Sequence, residues 1–232
     1  MFEFLLDAYT IRIVLAMIML SIASLIDIWK REINDALWIA FAAIAVVLIF
    51  IEPDLIDILK NIGISLIIAP VVLIIWRMGI FGGADALGLM VLAVLAPHAS
   101  FSDGLITPFT TLTNAAIISI IPIFTNAIRN IMALLYHNDI FEGFDETRAK
   151  KTLAIFLGYR AKNPKYSFSI EKTEGNHKKL DFSLKHAEKA EFCNTPDTWI
   201  TPGIPYILYI TGGFVVQVVF GDIVLNILSN FW

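Results

Sequence analysis

Six long apolar stretches set the first constraint on this chain. They run over about Ile11–Ile28, Ala36–Ile51 and Ile58–Trp76, within Met78–Phe101, and over about Asn114–Tyr136 and Gly203–Leu228, with few charges inside them. Roughly 20 apolar residues in a helix cross the ~30 Å hydrocarbon layer of a bilayer. A helix also satisfies its own backbone polar groups there, which an open strand cannot do. The chain is 57% hydrophobic and 16% charged over 232 residues, with a mean hydropathy of +0.74, which argues against a soluble domain. The expectation is an all-α polytopic membrane protein with six transmembrane helices. Ile11–Ile28 has the apolarity of a signal h-region, but it is long and no basic segment precedes it, so it reads as a retained span.

Residues 137–201 have another character. They hold eleven of the seventeen Lys and Arg residues, and the runs KYSFSIEK and KKLDFSLK alternate at period two, the pattern of strands. A small water-soluble, β-rich insert is expected there. The chain then divides into helices one to five (1–136), the insert (137–201) and helix six (202–232). The single cysteine, Cys193, excludes an intramolecular disulfide and any multi-cysteine zinc site, and a net charge of −4 weighs against a nucleic-acid partner.

Basic residues near span ends give the orientation, because they are retained on the cytoplasmic side. The loops after spans one, three and five carry Lys30, Arg31, Arg77 and the insert. The other side has Arg12 and Lys60, together with the acids Glu52, Asp54, Asp57 and Asp103. The insert is therefore expected in the cytoplasm and both termini outside. That topology puts Asp27, near the end of span one, and Asp85, near the start of span four, at similar depth by the cytoplasmic face.

Asp85 lies in FGGADALG, a polar interruption of an apolar region. A carboxylate within a span is costly and marks a functional site by default. Two readings stay open on the residues alone. Asp85 is a first-turn helix acid after a Gly-Gly turn, and Asp27 a helix-end carboxylate paired with Lys30 or Arg31. Alternatively, the two meet and share one proton, so that one takes a proton from water while the other protonates a scissile carbonyl oxygen. Gly82 and Gly83 would then allow a sharp helix entry and close approach by a substrate. Paired carboxylates also bind cations, so a small cation transporter is an alternative of a different class.

The stretch LIDIWKREIND resembles the first-helix aspartate motif of type IV prepilin peptidases, and GGAD resembles the GxGD motif of the same intramembrane aspartyl proteases. TPGIPYIL resembles the Pro-Gly-Ile-Pro segment on the last helix of the archaeal members. The order of these motifs, six spans and a cytoplasmic insert resemble the archaeal preflagellin peptidases in particular. The resemblance implies that Asp27 and Asp85 are the catalytic pair, with neither metal nor other cofactor. It implies an archaellin- or pilin-like precursor as substrate, cut at the cytoplasmic membrane face, with a prepilin peptidase for pili or other surface filaments as the nearest alternative. The cysteine-containing segment of bacterial members has no counterpart here, which implies peptidase without methyltransferase activity. Ala84 departs from the motif, which has glycine immediately before the aspartate; alanine resists positive φ, so a different local turn is expected.

Several other residues carry expectations. Pro202, Gly203 and Pro205 would open the sixth span, either as a plain helix start or shaping a substrate groove beside the aspartates. Arg129 would snorkel to the interface, and Asp222 would be interfacial at the outer end. His177, His186 and Cys193 match no common zinc spacing. The acids Asp139, Glu142, Asp145 and Glu146 form a solvated face or attract the basic leader of the substrate. FTTLTNAA, Phe109 to Ala116, with Ser100 and Ser102 nearby, invites serine chemistry, but His98 is placed on the outer side and no histidine partner is expected at cytoplasmic depth.

Overall fold

A computed structural model describes residues 8–80, 82–100, 105–136, 139–174, 177–183 and 191–229. Asp103, Ser102 and His186 lie outside the described residues. The chain forms two compact units, Met1–Ile118 with Pro205–Trp232, and Ser119–Ile204. In chain order the first unit contributes α1 (Ala8–Lys30), α2 (Asp35–Ile49), α3 (Leu55–Ser65), α4 (Ile68–Arg77), α5 (Gly83–Leu95), the short strands β1 (Ala99–Ser100) and β2 (Leu105–Ile106), and α6 (Thr107–Ile118). The second contributes α7 (Ile121–Leu135), α8 (Arg148–Leu157), β3 (Tyr159–Ala161), β4 (Ser167–Ser169), β5 (Glu171–Glu174), β6 (His177–Leu180) and β7 (Thr198–Pro202). The chain returns to the first unit with α9 (Tyr206–Phe220) and α10 (Ile223–Ser229).

Among the described residues, three stretches are helical, long and apolar enough to cross a membrane: Ala8–Lys30, Leu55–Arg77 and Thr107–Leu135. Two of them are interrupted, at Leu66–Ile67 and at Ser119–Ile120. Pro70 and Pro122 explain this, since proline has no N–H for the carbonyl four residues back and its ring crowds that carbonyl. The third stretch begins at Thr107, earlier than the expected Asn114. The remaining apolar helices α2, α5 and α9 have 15, 13 and 15 residues, about 20–23 Å at 1.5 Å per residue. Helix α5 lies within the expected Met78–Phe101 and covers only 13 residues of it. The first residues of that stretch make a turn instead, in which Gly79 adopts φ +75° and the Ile80 N–H reaches back to the Ile75 carbonyl at 3.3 Å.

One apolar core joins α1, α2, α5 and α9 through Met19, Leu20, Trp38, Leu89, Leu92, Ile207 and Phe214. Lipid is as apolar as leucine, so helix pairing in a bilayer rests on small-residue contact and hydrogen bonds. The α6–α9 interface has both. A Cβ on Gly213 would lie 2.4 Å from the Thr111 carbonyl oxygen, so the two backbones touch there. Thr111 Oγ1 donates to Gln217 Oε1 at 2.5 Å, and Asn114 donates to the Gly221 carbonyl at 3.0 Å while accepting from the Ile223 N–H at 3.2 Å. The Phe109–Ala116 tract is therefore a packing surface. Asp222, expected at an interface, is buried, caps α10 through the Leu225 N–H at 3.0 Å and accepts from Thr113 Oγ1 at 3.4 Å.

In the second unit an antiparallel sheet has the order β3-β7-β4, beside a β5–β6 hairpin. KYSFSIEK supplies β4 and the start of β5, whereas only the KKL of the second alternating run lies in β6. The central strand β7 is buried at Thr198, Trp199 and Ile200 in succession. It has neighbours on both edges and apolar cover, so it lacks the alternation by which its companions are recognised. Helix α8 was also not expected. Its C-terminal carbonyls are capped by Asn130, whose Nδ2 donates to Ile155 at 2.8 Å and Gly158 at 2.7 Å. Arg129 stacks its guanidinium 3.7 Å over the Tyr159 ring. Pro202 does not open a helix: it ends β7 opposite Ser167, and the Gly203 N–H donates to the Tyr166 carbonyl at 3.0 Å.

Two glycine substitutions distinguish packing from flexibility. Gly213→Ala is expected to lower the melting temperature of the detergent-solubilised protein by several degrees, because backbone must move to admit the methyl. Gly63→Ala meets nothing within 4 Å and is expected to hold or raise it, by up to about 1 kcal/mol of helix propensity. Thermal unfolding of both variants beside the parent checks this.

Candidate active site

The first unit brings Asp27 and Asp85 to one end. Arg12, near the start of α1, donates through Nη1 to the carbonyl of Leu95, the last residue of α5, at 3.0 Å. At the opposite ends of the same helices, Asp27 and Asp85 are close enough to interact electrostatically. The two helices are therefore antiparallel neighbours, and carboxylates 58 residues apart in sequence lie near one another.

Their settings differ. Asp27 is half-buried in the last turn of α1, where the helix dipole disfavours negative charge. Its backbone carbonyl accepts the Arg31 N–H at 3.0 Å, which closes the helix with Arg31 at φ +57°, and the Arg31 guanidinium interacts with the Asp27 carboxylate. Asp85 is 6% exposed and sits in the first turn of α5, where the dipole favours a carboxylate. Its Oδ2 accepts the Gly82 N–H at 2.9 Å, while its buried Oδ1 has no hydrogen-bond partner of good geometry among the described residues. The Ile207 N–H, in the first turn of α9, bears on the same carboxylate, and the Tyr206 phenol interacts with it.

The motif around Asp85 works differently from the sequence expectation. Gly82 has φ −81° and ψ 166°, open to any residue, and a Cβ there would meet Asp85 Oδ2 at an ordinary 3.6 Å. Gly83 begins the helix and Ala84 follows within it, so alanine in place of the usual glycine carries no backbone penalty. The left-handed glycine that makes the turn is Gly79. Pro205 stands at the N-cap of α9, while Pro202 ends β7 in the sheet of the other unit and Gly203 follows it. Tyr206 and Ile207 are the site residues that sequence reasoning missed. Both lie in the quoted TPGIPYIL, yet one tyrosine and one isoleucine at the head of an apolar helix look like interface and core.

A half-buried and a buried carboxylate in one site can share a proton, with one accepting from a water and the other donating to a carbonyl oxygen. His177 is exposed on β6 and Cys193 is buried against Ala161 and Ile200. Among the described residues no group of three or more His, Cys, Asp or Glu could hold a metal ion.

Comparison with known proteins bears on this geometry. Residues 14–124, which include both aspartates, match the type IV leader peptidase family, and residues 129–223 match the archaeal peptidase A24 C-terminus, type II. The chain is similar to the preflagellin peptidase of Methanocaldococcus jannaschii, 26% identical over 94% of this chain and 97% of that one. It is also similar to the preflagellin peptidases of Methanococcus maripaludis (28%, covering 91% and 96%) and Methanococcus voltae (24%, covering 90% and 94%).

The acidic cluster of the second unit divides into two kinds. Glu146 Oε1 accepts from Lys150 Nζ at 3.0 Å and from the Leu180 N–H at 2.8 Å, pinning β6. Burial pushes the Glu146 carboxyl up, but these bonds outweigh it and leave it below its ordinary value. Asp139 Oδ1 caps the Phe141 N–H at 3.1 Å, whereas Glu142 and Asp145 are exposed. Asp181, next to β6, is held down to about 2, first by the Ser183 hydroxyl and amide. Carboxyls with depressed folded values stabilise above their unfolded values, about 4 to 4.5, and that stability is lost as pH falls through the folded ones. Hydrogen exchange of β6, corrected for intrinsic rates, is therefore expected to accelerate as pH drops from about 4.5 towards 2. Glu146→Gln should raise exchange at neutral pH and shrink its acid sensitivity, while Glu142→Gln should change neither.

Proposed function

Because the chain belongs to the type IV leader peptidase family, we propose that it is a membrane aspartyl endopeptidase that removes the short basic leader from archaellin (preflagellin) precursors. The observation that carries this reading is the pairing of Asp27 with the buried Asp85 at one end of the antiparallel α1 and α5. Relatives called preflagellin peptidases, matching almost from end to end, support the substrate class. The lone Cys193, in a core and not in a cysteine-bearing segment, supports peptidase activity without methyl transfer.

In this reading six helices span the bilayer. The short α2, α5 and α9 cross where the site lets water in from the cytoplasmic face, and the insert, residues 137–201, lies in the cytoplasm with both termini outside. The precursor places its apolar helix in lipid and presents the scissile bond at the depth of the two aspartates. One carboxylate takes a proton from water as the water oxygen bonds to the scissile carbonyl carbon, and the other gives its proton to the carbonyl oxygen. The tetrahedral diol then collapses: the C–N bond breaks, the amine leaves with a proton from the carboxylic acid, one diol hydroxyl returns its proton to the other carboxylate, and a carboxyl group remains on the leader.

Asp27→Asn and Asp85→Asn are each expected to abolish cleavage of a leader-bearing precursor by detergent-solubilised protein, with folding and membrane insertion retained. An amide keeps the volume and cannot relay the proton. Normal cleavage by either variant, or ion flux without cleavage, would remove the aspartyl peptidase reading. Topology has its own test. On a Cys193→Ser background, an impermeant thiol reagent added outside should label a cysteine placed at Asp54 and miss one at Lys178. For the leader, Glu142→Gln with Asp145→Asn should raise KM about two- to fivefold at low salt and leave kcat unchanged, since exposed charges act on encounter.

A further inference from the structure

The two aspartate helices meet a common residue. Ile207, fully buried in the first turn of α9, touches α1 and α5 one turn away from each carboxylate. On the α1 side, Ser24 lies three residues before Asp27 and is buried. Its hydroxyl is 2.7 Å from Thr211 Oγ1 and donates towards the Ile207 carbonyl at 3.4 Å. Thr211 Oγ1 is also 2.8 Å from the Ile207 carbonyl and 3.1 Å from the Leu20 carbonyl, so the hydroxyl pair clasps α9 to α1. On the α5 side, Gly88 lies three residues after Asp85. A Cβ there would be 3.1 Å from both Ile207 Cδ1 and the Trp38 ring, so Gly88 is the notch that admits the Ile207 side chain. The backbone of Ile207 meanwhile turns its N–H on Asp85.

These contacts are of the kinds that register helices in lipid, where apolar burial alone does not choose one rotation or depth over another. Ser24 and Asp27 ride on one rigid helix, and Gly88 and Asp85 on another. A shift of Ile207 is therefore a shift in the separation of the carboxylates. We propose that Ile207, seated in the Gly88 notch and held by the Ser24–Thr211 clasp, sets the distance between Asp27 and Asp85, with Thr211 and Ser24 as positioning residues. The proposal rests on the reading that this pair cleaves the precursor. The Thr211 and Ser24 side chains touch no reacting atom; they act through the spacing, to which acid–base chemistry is steeply sensitive.

Thr211→Val keeps the side-chain shape and deletes the hydroxyl, whereas Thr211→Ser keeps the hydroxyl. The first is expected to lower kcat about tenfold with KM within about twofold, and the second to recover most of the rate. Spacing is read independently of cleavage in the full chain carrying Asp27→Cys, Asp85→Cys and Cys193→Ser, treated with bifunctional thiol reagents of graded length. With the clasp intact, one short reagent should join the pair. Adding Thr211→Val should shift the joining to longer reagents, and Ser24→Ala, which opens the clasp from the other helix, should do the same. An unchanged reagent length in both clasp variants overturns the proposal, whether or not kcat falls, as does a wild-type kcat in both. If the reagent length shifts while Asp27→Asn and Asp85→Asn still cleave, the spacing role stands and the catalytic reading alone is lost.

Discussion

A buried guanidinium organises the end of the bundle away from the aspartates. Arg12 is 2% exposed, with Nε 2.6 Å from Glu52 Oε1 and Nη1 on the Leu95 carbonyl. It ties together the start of α1, the loop beyond α2 and the end of α5. An arginine in an apolar bundle is held where its partners are, since leaving one charge of a buried pair alone costs about 3–5 kcal/mol. With that end fixed, α1 and α5 have to run antiparallel, and their free ends carry Asp27 and Asp85 together. The basic residue counted from sequence as an outer-loop charge is thus a structural pin for the site at the opposite end.

The site end is built from weaker parts. Asp85 receives the Gly82 N–H and meets the first turn of α9, while Asp27 has the Arg31 charge beside it at an unfavourable helix end. Such a setting leaves the buried Asp85 Oδ1 without a hydrogen-bond partner of good geometry among the described residues, which a purely structural residue would avoid. The α6–α9 contact, with Gly213 against Thr111 and the Thr111–Gln217 and Asn114 bonds, holds α9 on its other face. Helix α9 therefore stands against α6 and against both aspartate helices, which is why its first turn can act on their spacing.

Much of the site was legible in the sequence because lipid punishes charge. Asp27 and Asp85 stood out as carboxylates in apolar runs, and the count of basic residues gave the expectation that they share one depth. The family resemblance rested on the same residues, and the type IV leader peptidase match covers them both. Residues whose role is contact were not legible. Ser24, Gly88, Ile207 and Thr211 are ordinary members of membrane helices, and their meaning depends on the neighbour each one meets. Pro202 read as a helix opener because proline begins helices and ends strands equally well, and only its pairing with Ser167 decided between them. Glu146 read as a surface charge because burial by β6 depends on a hairpin far along the chain.

By itself, the sequence determined that this is a helical protein suited to a membrane, with a charged insert and two carboxylates within apolar runs. Those properties follow from the composition and periodicity of short windows, which lipid and water sort one at a time. Tertiary structure decided where helices break into shorter pieces, which glycine makes the turn before Asp85, and which residues hold α1, α5 and α9 in register. Those outcomes depend on contacts between segments tens to nearly two hundred residues apart. Packing inside a bilayer selects among such contacts through single hydroxyls and missing methyl groups, to which a pattern of apolar and polar letters is blind.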